Sequence, residues 1–194
     1  MITVMKVMLD TNIFVDFMLV QWKREKNQPI PRALRKSEKI LTAYFGRKFV
    51  NFASEWNILE FRDVVERFVT EIKLIENGYS LQEFSEGRKK LPLTESEIKR
   101  INYIVEDAFK LSEFRSRPLI QEDFKLIKRV CSSGFSLLDV IHLYNANNLN
   151  CDYFITRDKQ LIRGFNAKKD RAANLMNEKI KIISREQFTK KLNN

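Results

Sequence analysis

A chain of 194 residues with 44% apolar residues, five Gly and four Pro can bury a core and has globular composition, which excludes fibrous, low-complexity and disordered classes. Two cysteines, Cys131 and Cys151, are too few for a disulfide framework and lack zinc-site spacing, although one bridge between them stays open; with a single histidine, any metal must be held mainly by oxygen. The formal net charge of +10 points to a polyanionic partner, nucleic acid first, because clustered Lys and Arg release counterions from a phosphate backbone. The apolar run near Thr3 to Leu9 is too short for a membrane span or a secretory signal, so a cytoplasmic protein without a membrane partner is expected.

Thr3 to Leu9 reads as a buried strand ended by the turn-forming Asp10, Thr11 and Asn12, with a helix following at once. Trp22 to Arg35, dense in charge and holding Pro29 and Pro31, reads as a loop leading into a helix from about Ala33 to Tyr44. Lys48 to Phe52 is a second strand, and apolar spacing from Glu55 to about Ile75 marks a long amphipathic helix that Asn77-Gly78 ends. Capping boxes at Ser80/Glu83 and Thr94/Glu97 announce helices near Ser80 to Gly87 and Thr94 to Leu111. With Gln121 to Val130 also helical, the middle of the chain is expected to be all helix. Ser136 to Asn147 is a further helix, Tyr153 to Thr156 a buried strand, Lys159 to Arg163 a helical turn, and Lys179 to Ile183 a last strand before a C-terminal helix.

Strands alternating with helices at both ends predict one α/β domain over residues 1 to 194, with a parallel sheet and a helical insertion at about 76 to 133. Ligands of open parallel sheets bind beyond the carboxyl ends of the strands, where Asp10 and Asp158 fall directly. Asp139, in the first turn of the Ser136 helix, and Glu60, on the long helix, can converge on the same end. Unpaired carboxylates ~4 Å apart repel by about 4 kcal/mol at an effective dielectric near 20. A hard divalent cation removes that cost and activates water, so an acidic cluster in a basic protein suits phosphodiester hydrolysis.

The strings VMLDTNIFVDFML, ILEFRDVV and LLDVIHLYNANNLNCDYFITRD, with the KQL that follows, resemble the PIN-domain family of ribonucleases. The match covers residues 1 to about 68 and 136 to about 165, in order and in spacing. The resemblance implies a three-layer fold with a parallel sheet of about four to five strands between helices. It implies a Mg2+- or Mn2+-dependent ribonuclease held by Asp10, Glu60, Asp139 and Asp158, with Asn12 and Thr156 positioning the site by hydrogen bonds. Glu55 and Glu66 share the helix with Glu60 and are alternatives to it. Relatives include toxins of VapC-type toxin-antitoxin pairs, ribosomal RNA maturation nucleases and RNA-decay factors. Single-stranded or unpaired RNA, an antitoxin protein and a homodimeric partner are therefore the implied partners. A PIN-like module that binds RNA or protein without cutting, and a structure-specific DNA nuclease, are the alternatives.

Each residue also has a plainer role. Asp10 can cap the following helix, Asp139 can complete a capping box with Ser136, Asp158 can close an Asx turn, and Glu60 can be a solvated helix charge. Helical spacing turns Asp16 toward solvent or a nearby Lys, and His142 reads as structural before it reads as a donor to the site. Basic stretches at Arg32 to Lys39, Arg88 to Lys90 and Lys168 to Arg171 read as solvated faces that can also track phosphates.

Overall fold

The structure is a computed structural model that describes residues 4–80, 83, 91–114, 119–132, 134–167 and 180–193. Five strands, β1 (Lys6–Leu9), β2 (Val50–Ala53), β3 (Glu113–Phe114), β4 (Tyr153–Thr156) and β5 (Lys181–Ser184), form one all-parallel sheet in the order β3-β2-β1-β4-β5. The helices among the described residues are α1 (Thr11–Glu25), α2 (Arg35–Phe45), α3 (Glu55–Glu76), α4 (Glu95–Phe109), α5 (Gln121–Cys131), α6 (Leu137–Asn148), α7 (Lys159–Ala167) and α8 (Arg185–Leu192). The chain divides into two compact units, one of Met1–Asn57 with Leu111–Asn194 and the other of Ile58–Lys110.

In the first unit both faces of the sheet are covered, as parallel strands require. Successive strand residues point to opposite faces. Met8, Phe52, Phe154 and Ile182 therefore share one face, where they pack with Leu143 and Ala146 of α6 and Leu161 and Phe165 of α7. Tyr153, one residue from Phe154, meets Phe188 of α8 on the other face, and Phe14 of α1 stands edge-on to Tyr44 of α2. This helix-sheet-helix sandwich is the expected α/β class. Both cysteines are free thiols, and burial pushes that of Cys151 up to about 12.

The second unit pairs the remainder of α3 with α4. Phe61, Val65 and Leu74 of α3 and Ile101, Val105 and Phe109 of α4 are buried, and the rings of Phe61 and Phe109 lie 5.8 Å apart, edge to face. Thr94 caps α4 with the reciprocal Glu97 bond that its sequence announces.

Three expectations are corrected. The middle is not all helical, because β3 lies within it and pairs with β2. Buried Asn51 explains that pairing: its amide donates to Ser112 Oγ (2.8 Å), while Tyr44 Oη meets the same hydroxyl at 2.9 Å. Trp22 to Glu25 continue α1 instead of opening a loop, and Arg24 then reaches Glu38 of α2. Asp16 is buried, as described below. The expected insertion at about 76 to 133 overlaps the second unit only from 76 to 110, since β3 and α5 belong to the first. Of the helix expected near Ser80 to Gly87, only Ser80 and Glu83 lie among the described residues, and their capping contacts are present. The basic stretches at Arg88 to Lys90 and Lys168 to Arg171 lie outside them.

Candidate functional site at the strand switch point

The chain leaves β1 toward β2 and β3 on one side and returns to β4 and β5 on the other, so the order of strands reverses between β1 and β4. At such a reversal the two flanking connections diverge and open a crevice beyond the carboxyl ends. Leu9 pairs with Ile155, so Asp10 and Thr156 leave the sheet side by side at that point. The Asp10 amide still donates to the carbonyl of Ile155, at 2.9 Å, which fixes the carboxylate at the rim.

Asp10 is 7% exposed and occupies the N-cap position of α1, but its side chain makes no capping bond to that helix. The plain capping role is thereby excluded. Instead its Oδ2 accepts from Thr156 Oγ1 and from Asn12 Nδ2, each at 2.5 Å. The Thr156 bond has the short length of a hydroxyl donating to a charged carboxylate. Thr156 Oγ1 in turn accepts from Asn12 Nδ2 and from the Asp158 amide, both at 2.9 Å, so its one donor and two lone pairs are all used. Asn12 Oδ1 accepts from the Arg157 amide at 3.1 Å, which sets the orientation of the side-chain amide. Asp10, Asn12 and Thr156 thus form one network, whose members come from the end of β1, the first turn of α1 and the end of β4, about 145 residues apart along the chain.

Asp158 is half-buried, and its Oδ1 accepts from the amides of Gln160 (2.6 Å) and Leu161 (3.0 Å) at the start of α7. Asp139 is half-buried in the first turn of α6; Ser136 Oγ donates to its Oδ2 at 2.6 Å and accepts from its amide at 3.1 Å. Both acids therefore have the plain capping role. One turn further along α6, His142 is buried and its Nδ1 lies 3.2 Å from Asn57 Nδ2. Asn57 Oδ1 accepts from Ser54, just past β2, so its amide nitrogen faces the ring and Nδ1 is the acceptor. This chain of bonds ties the N-terminal half of α6, with Asp139, to the carboxyl end of β2. Asp10, Asp139 and Asp158 accordingly belong to the same end of the sheet.

Glu60 is half-buried on the part of α3 that belongs to the second unit. Of its alternatives, Glu55 is exposed at the start of α3, and Glu66 pairs with Arg62 at 2.9 Å. Among the described residues no group of three or more His, Cys, Asp or Glu side chains is assembled to hold a metal ion. What the switch point does offer is carboxylate oxygen, from Asp10 and Asp158. That donor chemistry fits Mg2+ or Mn2+, which one or two carboxylates plus substrate phosphate commonly hold. Close by, Thr11 Oγ1 is a buried hydroxyl with no hydrogen-bond partner among the described residues.

The feature that sequence reading missed is Asp16. It is wholly buried and accepts from Ser37 Oγ (2.5 Å), from Arg185 (2.7 Å) and from Arg157. An isolated carboxylate cannot be buried cheaply; these three donors are what makes its burial tolerable. The partners lie 21, 169 and 141 residues away along the chain, so local helical spacing carried no trace of them.

No family model matches the chain, nor does any curated protein or solved structure. No helix among the described residues is long and apolar enough to cross a membrane.

Proposed function

We propose that this chain is a Mg2+- or Mn2+-dependent endoribonuclease of the PIN-domain kind, cutting single-stranded or unpaired RNA at the switch point between β1 and β4. The observation that carries this reading is the Asp10 carboxylate, buried at the strand reversal and held by Thr156 and Asn12 when it has no cap to make. A charged group kept in a fixed, partly dehydrated position costs stability and is typical of sites that bind or react. Asp10 and Asp158 would hold the cation, with Asp139 as a further acid. The bound cation would supply water of lowered pKa and offset charge on the phosphate. Asn12 and Thr156 keep the Asp10 carboxylate aimed, and the net charge of +10 draws RNA to the protein.

The test is cleavage of matched RNA and DNA oligonucleotides with Mn2+ or Mg2+. The wild type should cut RNA only when the metal is added, and Asp10→Asn, which keeps the shape, should lose about 100-fold or more in rate, since a misplaced reacting group costs that much. Full activity in Asp10→Asn refutes the assignment, and cleavage of DNA alone would make the chain a DNA nuclease. A second reading, an RNA-binding module that does not cut, is favoured by the lack of a three-acid group among the described residues. RNA binding without metal-dependent products would select it.

A further inference from the structure

Asp16 does not belong to the acidic set, yet it is the most completely buried carboxylate beside the switch point. It lies four residues after Asn12 and so on the same side of α1. Arg157 sits between Thr156 and Asp158, with its amide held by Asn12 and its guanidinium by Asp16. Arg185, at the start of α8 beyond β5, reaches the same carboxylate and also Glu186.

Counting charge decides what this arrangement is for. One buried carboxylate faces two guanidinium groups, so the cluster keeps a surplus positive charge. Arg185 is only 15% exposed and shares Glu186 with Lys36, so two acids face three cations, and the side chain of Arg157 is 42% exposed. Of the two guanidinium groups on Asp16, that of Arg157 is the one open to solvent. For stability alone, an apolar residue at position 16 would serve as well or better than a buried ion pair. The ion pair's distinct effect is to hold a long, rotamer-rich side chain in one place next to the Asp10 network. Asp16 engages Nη1 of a planar group that carries five N–H donors in a fork suited to phosphate oxygens.

We propose that Arg157 receives a backbone phosphate of the RNA substrate beside the Asp10 carboxylate, and that Asp16 is its positioning residue, never touching substrate itself. The proposal rests on the ribonuclease reading and names how its site takes hold of the polyanion. Phosphate contacts of this kind set register without reading sequence. A cationic side chain among carboxylates also lowers the repulsion that an incoming phosphate meets there.

The test is binding of a short labelled oligouridylate in EDTA, where cleavage cannot occur, across a range of salt concentrations. Arg157→Gln should weaken binding about tenfold, the cost of one charged hydrogen-bonded contact. It should also reduce the slope of log affinity against log salt by about 0.7, the single-strand value for one phosphate. Arg157→Lys should keep the slope but lose part of the affinity, because charge remains while the fork is gone. Lys99→Gln, which removes an equal charge from an exposed position on α4, should leave both nearly unchanged. Asp16→Asn separates positioning from charge. It removes a negative charge, which by itself tightens RNA binding, yet it should weaken binding, and it should add nothing when Arg157 is already Gln.

Unchanged affinity and slope in Arg157→Gln overturn the proposal, and tighter binding in Asp16→Asn overturns the positioning role. If Asp16→Asn fails to fold in a thermal melt, the two Arg157 variants decide alone. A wild type that binds RNA while Arg157→Gln matches it refutes this assignment and leaves the ribonuclease reading standing. A wild type that binds no RNA in EDTA refutes this assignment, and the cleavage assay with Mn2+ or Mg2+ decides the ribonuclease reading separately.

Discussion

At the scale of single residues, Thr156 bears the most. Its hydroxyl donates to Asp10 and accepts from Asn12 and the Asp158 amide, so one oxygen links both acids of the switch point. Thr156→Val keeps the shape and removes all three bonds, leaving buried partners unsatisfied at a cost of about 1–3 kcal/mol. Chemical denaturation should show that loss, and Thr156→Ser, which restores the hydroxyl, should recover most of it. An unchanged midpoint in Thr156→Val would mean that Asp10 is held by something else. Asp10 was legible because it stands immediately after an apolar strand, whereas Asn12, in the first turn of α1, and Thr156, the last residue of β4, were named only through the family resemblance. Asp16 was not legible. Its helix buries residues on most sides, so spacing alone did not fix which way Asp16 points, and only the fold brings Arg157 and Arg185 to it.

Secondary-structure elements follow the same division between local and distant causes. The capping boxes were readable because hydroxyl and acid stand three apart and satisfy each other within one turn. Thr94 accepts from the Glu97 amide while Glu97 reaches the Thr94 amide, and this backbone bond, followed by the one from Lys73, holds the Glu97 carboxyl below its usual range. Thr94→Ala should destabilise α4 by about 1 kcal/mol, the usual worth of an N-cap. The bonds that the Glu97 carboxylate accepts from the Thr94 amide and Lys73 are a separate contribution, which should be lost as pH falls below the ordinary carboxylate range, because a group with lowered pKa contributes stability above that range and loses it on protonation. Amide exchange in α4, measured at neutral and at acid pH, checks both statements. A wild-type α4 whose protection does not fall at acid pH would contradict the pairing. The strand β3 escaped notice for the opposite reason. Two exposed residues carry no period, and their pairing is set by side-chain bonds from Asn51 and Tyr44 that no local pattern contains.

Across the whole molecule, the α/β class was legible because alternation of strands and helices at both ends of the chain leaves few ways to build a sheet. Strand order was not spelled out by sequence, yet the reversal between β1 and β4 is what brings the ends of those two strands, with Asp10 and Thr156, side by side. The division into units was less legible, because its boundary falls within α3, whose apolar spacing runs unbroken from one unit into the other. Glu60 stands beyond that boundary. The net charge of +10 acts at this scale as well, raising the local concentration of a polyanion before any specific contact is made. The central claim is that the carboxylates at the strand reversal hold a divalent cation. Calorimetric titration of the metal-free protein with Mn2+ tests it most directly: the account predicts saturable binding in the wild type that is abolished in Asp10→Asn while the fold persists, and identical heats in the two proteins, or none in either, would contradict it.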